Sequence, residues 1–168
     1  MGADLCVRDA SVDDADAIAY VHVRTWQTAY RGIVPDAYLD RLNERARSKV
    51  WSEMLEEGHD ALVGVRGERV VGFADWGPSR DGDGAGAAEL YAIYVLASEW
   101  GTGIGPVLLA AAVDAMRPSA GEATLWVLAD NARARRFYER EGWFADGATK
   151  DDDRGDFVLH EVRYRRRL

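Results

Sequence analysis

Along the chain, apolar positions recur first at helical spacing and then at strand spacing. After a short strand-like run over 5–8, Ile18, Val21, Trp26 and Tyr30 return at mixed three- and four-residue intervals, with Tyr20 beside them. That period predicts an amphipathic helix with Ser11 as its N-cap and an end near Gly32. Pro35 opens a second helical segment that continues through Leu39, Leu42, Val50, Trp51, Met54 and Leu55 until Gly58 stops it. The pattern then changes to β-type runs at 61–65 and 69–76, joined by Arg66-Gly67-Glu68 as a tight turn. A third run, 89–95, follows a Gly/Asp-rich stretch over 79–86 that reads as a flexible turn.

Beyond Val95 the order is glycine-rich loop, helix (104–116, closed before Pro118), strand (123–128), helix (132–141, closed by Gly142) and a final pair of strands, the last over 157–164. Helices, then a hairpin meander, then a βαβα unit predict an α/β fold with a mixed, central sheet. The 168 residues suit one domain spanning 1–168. A chain of this length buries roughly 70% of the surface it exposes when unfolded, and 48% apolar residues supply that core.

The formal charge of −8 repels phosphate backbones and anionic lipid, so neither a nucleic-acid nor a membrane partner is expected. The basic run Arg163-Tyr164-Arg165-Arg166-Arg167 reads as a solvated strand end. Cys6 is the only cysteine, which excludes an internal disulfide and gives no thiol pair for zinc; no metal is expected. The opening segment, with Asp4, Asp9, Asp13 and Asp14, lacks the basic start and apolar run of a signal peptide. Met1-Gly2 begins like a myristoylation site, but Cys6 stands where that motif takes Ser or Thr. The apolar run 107–113 is far below the roughly 20 residues of a membrane span. A cytoplasmic location is the expectation.

Strand 89–95 is followed by Trp100-Gly101-Thr102-Gly103-Ile104-Gly105-Pro106 at the start of a helix. Glycines admit close backbone approach, and the free N–H groups of a first helical turn attract anions, so the segment suits a phosphate cradle as well as a plain turn. Ile104-Gly105-Pro106 lacks the Gly-Lys-Ser/Thr of a P-loop, and Pro106 stands where a dinucleotide fingerprint takes Gly or Ala. Nucleotide hydrolysis and hydride transfer therefore recede. A second segment, Asn131-Ala132-Arg133-Ala134-Arg135-Arg136-Phe137-Tyr138-Glu139-Arg140-Glu141-Gly142-Trp143, completes the order strand, glycine loop, helix, Asn-x-x-Ala-x-x-Phe-Tyr-x-x-x-Gly-aromatic. That order resembles the GNAT superfamily of acyl-CoA-dependent N-acyltransferases, closely over 88–143 and more loosely over 7–77 and 161–164.

The resemblance implies a sheet of about seven strands, splayed at its centre and flanked by about four helices. It also implies that acetyl-CoA is the acyl donor. Its pyrophosphate would rest on Gly101, Thr102, Gly103, Ile104, Gly105 and Pro106. Its pantetheine arm would add to the strand through main-chain groups of Ile93, Tyr94 and Val95, with Asn131 nearby. By composition alone Asn131 is a helix N-cap, and the two roles are compatible. The family's loop usually opens with Gln or Arg, and this chain has Trp100. Tyr138, by pattern a core aromatic, matches the tyrosine that protonates the leaving thiolate. Glu89 matches a general-base glutamate, or is a strand carboxylate beside a loop. The first helix and the loop after it shape the acceptor site in this family, which brings in Trp26, Tyr30 and Arg31, with core packing as the alternative for the aromatics. His22, His59 and His160 show no catalytic or metal pattern.

The implied reaction is direct attack of a primary amine on acetyl-CoA in a ternary complex. The alternative is a non-catalytic acyl-CoA-binding module that keeps the cradle. The acidic balance suits a cationic acceptor such as a polyamine or aminoglycoside, while amino acids and protein amines stay open. The sequence also leaves open a homodimer through a sheet edge or the last strand.

Overall fold

A computed structural model describes residues 4–168; the Met1-Gly2 pair lies outside them. The elements run β1 (Leu5–Asp9), α1 (Ala15–Ala29), α2 (Asp36–Asp40), α3 (Glu44–Glu56), β2 (Ala61–Arg66), β3 (Arg69–Pro78), β4 (Ala88–Val95), α4 (Ile104–Met116), β5 (Glu122–Leu128), α5 (Ala132–Arg140), β6 (Phe144–Asp153) and β7 (Val158–Arg167). Seven strands form one sheet in the order β1-β2-β3-β4-β5-β7-β6. Every pairing is antiparallel except β4 with β5.

Period-two alternation in β3 sends neighbouring residues to opposite layers. Phe73 packs with the α1 and α3 residues Ile18 and Trp51, while Ala74 packs with Leu108 and Leu109 of α4. Leu108 is fully buried, a burial worth about 1.5–3 kcal/mol. Gly72 allows a close approach here: a Cβ would stand 3.0 Å from the Tyr94 carbonyl oxygen and crowd β4.

Five helices form where about four were expected, because the segment after Pro35 breaks. Asn43 adopts extended backbone and its side chain accepts from the Ala46 N–H at 2.9 Å, so it starts α3 anew after α2 has ended. Ser11 caps a single 3₁₀ turn, Val12–Asp14, that leads into α1. The Asp14 carboxylate accepts from the Ser11 N–H at 2.8 Å and from both terminal nitrogens of Arg8 at 2.8 Å.

The Arg8 hydrogen bond holds Asp14 below the usual carboxylate range, although burial opposes it. A group whose pKa falls on folding adds stability above its unfolded pKa, and that stability is lost as the pH drops through the lowered native value. Asp14→Asn is therefore expected to cost about 1 kcal/mol at pH 7, or about 2–4 °C in Tm. The gap to the parent protein should begin to close below about pH 4, the range of an unfolded carboxylate, and narrow further as the pH falls through the lowered native value. Thermal melting from pH 3 to 8 measures both; a constant gap would remove the carboxylate charge from the explanation.

The loop at 79–86 is not the flexible turn its composition suggests. Arg163 of β7 donates to Asp83 at 2.7 and 2.9 Å, to Asp81 at 3.1 Å and to Asp146 at 2.7 Å. The Trp126 indole N–H also donates to Asp81, at 3.1 Å. Arg163 is only 6% exposed, which corrects the reading of the last basic run as a solvated strand end. Two more of its arginines are engaged: Arg165 pairs with Glu122 at 2.5 Å, and Arg166 donates to the Glu141 carbonyl at 2.6 Å. The acids that neutralise the run lie far from it in sequence. Among the described residues no helix is long and apolar enough to cross a membrane.

Candidate active site

The site is built on a separation of two strands. Strands β4 and β5 pair only at Ala88 with Ala123 and Glu89 with Thr124, while β5 pairs with β7 along its whole length. Beyond Glu89 the two parallel strands diverge and open a cleft of about 550 Å³.

The ladder decides which main-chain groups of β4 face that cleft. Leu96 donates to the Val71 carbonyl at 2.9 Å, and Tyr94 stands opposite Phe73. Since hydrogen-bonded pairs alternate in an antiparallel ladder, Leu96 and Tyr94 spend their main-chain groups on β3, and Ile93 and Val95 turn theirs to the gap. Tyr94 thus cannot offer its main chain as expected. It lines the cleft with its phenol instead.

At the far end of the gap lies the glycine loop. Gly101 and Gly103 take φ of +77° and +94°, and a Cβ on either would meet nothing within 4 Å, so the space over the loop is open. Gly103 starts α4. The N–H groups of Gly101, Gly103, Ile104 and Gly105 have no acceptor among the described residues. The loop is held from beneath: Thr102 donates to the Glu99 carbonyl at 2.8 Å, and Glu99 pairs with Arg66 at 2.8 Å. The Thr102 hydroxyl and its main-chain N–H, which donates to the same carbonyl at 3.2 Å, are both used, so Thr102 does not offer the donor expected of it; the Ile104 side chain is fully buried, which leaves that residue its main-chain N–H only.

Helix α5 closes one wall. Asn131 is its N-cap, accepting through Oδ1 from the Ala134 N–H at 3.2 Å, which leaves its amide N–H groups without a protein partner. Tyr138 is 8% exposed and packs on Phe137, Trp143 and Tyr164. Its hydroxyl makes no hydrogen bond among the described residues, and the residue borders the cleft. Burial pushes this phenol well above its ordinary pKa.

At the other end α1 presents Trp26 and Tyr30, with ring centroids 4.8 Å apart, beside the Tyr94 phenol. The Trp26 indole N–H is buried without a partner. Arg31 does not join them. It pairs with Asp36 at 3.1 Å and Asp40 at 2.6 Å and stays outside the cleft lining, so the expected substrate contact is instead a tie to α2. His22 sits among Trp26, Trp51, Phe73 and Tyr94, and burial pushes it down to about 3, so it is neutral. His59 pairs with buried Asp75 at 2.9 Å, which raises the imidazole above its usual value.

Glu89 is 2% exposed and gripped by Arg80. Its Oε2 accepts from the Arg80 main-chain N–H at 2.9 Å and from Nε at 3.3 Å, and Oε1 from a terminal nitrogen at 2.6 Å. A carboxylate has about four acceptor directions, and one remains on Oε1.

Every acid lining the cleft has a cation: Glu89 with Arg80, Glu99 with Arg66, Asp152 with Arg154, Glu161 with Lys150. Two lining cations, Arg133 and Arg140, have no carboxylate partner among the described residues. On a chain of charge −8, the unpaired charge of the cleft is positive. It is a place for an anion.

A sequence model for the "Acetyltransferase (GNAT) family" matches residues 20–143. The chain belongs to the GNAT family. It is 34% identical over 126 residues to the uncharacterized N-acetyltransferase YuaI of Bacillus subtilis, covering 74% of this chain and 72% of that one. It is 28% identical over 153 residues to the probable N-acetyltransferase Rv2775 of Mycobacterium tuberculosis, covering 88% and 84%. The PaiA N-acetyltransferase of Thermoplasma acidophilum, solved with coenzyme A, shares the fold with a TM-score of 0.75 at 19% identity over 98% of this chain and 99% of that one. YncA of Salmonella typhimurium, a putative acetyltransferase solved with acetyl-CoA, has a TM-score of 0.73 at 22% identity over 98% and 94%.

As a GNAT protein the chain is an N-acetyltransferase, which sets aside the non-catalytic binding module. Sequence reasoning missed the side chains of this GNAT cleft that come from β6, β7 and the pinned loop. Lys150, Asp152, Arg154, Glu161 and Arg80 line it only because β7 lies between β5 and β6 and because Arg163 draws the loop in. No local pattern around them signals a site.

Proposed function

We propose that this chain transfers the acetyl group of acetyl-CoA to a primary amine by direct attack, both substrates being bound in the one cleft. The observation that carries this reading is the set of unsatisfied donors along the cleft. Main-chain N–H groups of the glycine loop are free, Ile93 and Val95 face the gap, and the unpaired cations are Arg133 and Arg140. A pyrophosphate suits the first and an amide-bearing arm suits the second. The bound donor supplies an activated thioester; the rest falls to the protein.

Val95 presents its N–H where charge on the acyl oxygen needs a fixed donor. Tyr138 offers a hydroxyl with no competing partner to the departing sulfur. An amine of pKa near 10.4 is neutral in only about one part in 2,500 at pH 7, a cost of roughly 4.6 kcal/mol, so a proton acceptor is needed. Glu89 takes that role through its free direction on Oε1, directly or through a water, while Arg80 fixes the carboxylate. Trp26 and Tyr30 flank the acceptor. Because each acid of the cleft already holds a cation, the acceptor is a small amine with few positive charges, rather than the polyamine or aminoglycoside that the overall acidity suggests.

Glu89→Gln tests the base. At pH 7 kcat/KM is expected to fall about 100-fold, and the loss should shrink toward pH 9.5 as the amine becomes neutral by itself. The same loss at both pH values would leave Glu89 as a support for Arg80 alone. Calorimetric titration of acetyl-CoA into the protein tests the donor: absence of saturable binding would overturn the reading.

A further inference from the structure

The loop of this protein opens with Trp100, a residue that offers no charge to a phosphate, yet a cation lies over it. The guanidinium carbon of Arg133 is 3.4 Å from the centre of the Trp100 ring. The ring itself is fixed, because its indole N–H donates to the Val95 carbonyl at 2.9 Å, one of the two β4 carbonyls turned to the gap. Arg133 belongs to α5 and Trp100 to the loop before α4, so the stack bridges the two walls of the cleft.

Apart from the Trp100 ring, nothing among the described residues calls for a cation at position 133. It is the second residue of α5, where the helix dipole disfavours positive charge, and the first turn holds no acid to offset it. Among the described residues Arg133 has no carboxylate partner and no hydrogen-bond acceptor. Its neighbours across the cleft are the unsatisfied N–H groups at the start of α4. Burial moves its pKa down while leaving it charged, as expected for a guanidinium partly withdrawn from water. The free N–H groups at the start of α4 and one unpaired arginine thus line the same cleft, and an anion bound there would balance both.

We propose that Arg133, held by stacking on Trp100, is a ligand of the pyrophosphate of acetyl-CoA, and that Trp100 is its positioning residue. The inference rests on acetyl-CoA being the donor. It makes Trp100 part of the binding site: the cation has moved from the loop to α5, and the indole keeps it in place.

The test titrates CoA, 3′-dephospho-CoA and pantetheine into the parent protein and into Arg133→Gln, Trp100→Ala and the double variant. Arg133→Gln is expected to weaken CoA and dephospho-CoA alike by about 10- to 100-fold, to leave pantetheine unchanged, and to approach the parent in 1 M NaCl. Trp100→Ala should weaken CoA by a similar factor, and the double variant by no more than either single change. Trp100→Phe, which keeps a ring but loses the indole donor, should retain most of the affinity.

Unchanged CoA affinity in Arg133→Gln would overturn the proposal. So would a loss confined to CoA, which would move Arg133 to the 3′-phosphate, and so would tighter binding, which would make Arg133 an obstruction. Failure of the parent protein to bind CoA would instead sink the donor assignment itself.

Discussion

Tyr138→Phe is expected to lower kcat by about 100-fold or more while the Kd for CoA changes by less than about twofold. The phenol is a packing residue and a donor at once, and the substitution separates the two. Its ring contacts with Phe137, Trp143 and Tyr164 survive in Phe, and its hydroxyl bonds to nothing in the protein, so no buried partner is stranded. Stability should stay within about 0.5 kcal/mol.

The effect on turnover comes from the thiolate. Even an ordinary phenol giving its proton fully to a thiolate of ordinary pKa goes uphill by about 2 kcal/mol, and burial raises Tyr138 further. In the proposed reaction its part is therefore a hydrogen bond to the developing sulfur anion, made in a partly dry site where it counts for more than in water. The raised pKa also means that no loss of activity from Tyr138 ionisation should appear up to pH 10. Steady-state kinetics beside calorimetry checks both points. An unaltered kcat would exclude Tyr138 from the reaction.

Arg163→Met should be the most damaging surface-distant change outside the catalytic groups, costing about 3–5 kcal/mol. Arg163 pairs with Asp81, Asp83 and Asp146 at once, and it is 6% exposed. Removing it leaves Asp81 and Asp146 with carboxylates withdrawn from water and short of a counter-charge; Asp83, 65% exposed, contributes little. Arg165 still reaches Asp146 at 3.2 Å, which keeps the cost toward the lower end. A loss of about 3 kcal/mol corresponds to roughly 6–12 °C in Tm for a chain of this size.

The second consequence is functional. Asp81 and Asp83 tie down the loop that carries Arg80, and Arg80 holds Glu89. Freeing the loop should raise the acceptor KM and lower kcat, while CoA, bound at the opposite end of the cleft, keeps its Kd. Arg167→Ala, in the same basic run and exposed, should change stability by no more than about 0.5 kcal/mol. Differential scanning calorimetry of the two variants is the measurement; equal Tm values would show that the three acids need no cation.

Much of the architecture was legible because its signals are local. Helix α4 was read with the bounds it has, 104–116, since the glycine loop before it and Pro118 after it are both in the sequence. The βαβα order and the two motif segments identified the family from residues that sit side by side in the chain. The break between α2 and α3 was missed. One capping side chain, Asn43, outweighed an apolar spacing that runs on through Leu42. The Gly/Asp-rich loop was misread for a different reason: acidic residues promise flexibility until a buried arginine more than 75 positions away binds them.

The sequence by itself determined the seven strands and the glycine-rich loop, because periodicity, caps and turns act between neighbours, and its resemblance to a family named the candidate groups for the chemistry. It could not say which of those groups would face one another. The register of β4 on β3 decided that Ile93 and Val95, and not Tyr94, turn main-chain groups to the gap. The divergence of β4 from β5 made the cleft. Arg80 was placed on Glu89, Arg31 on α2 and Arg133 on Trp100 only by tertiary folding. Long charged side chains have many partners within reach of a sequence, and the folded backbone alone selects among them.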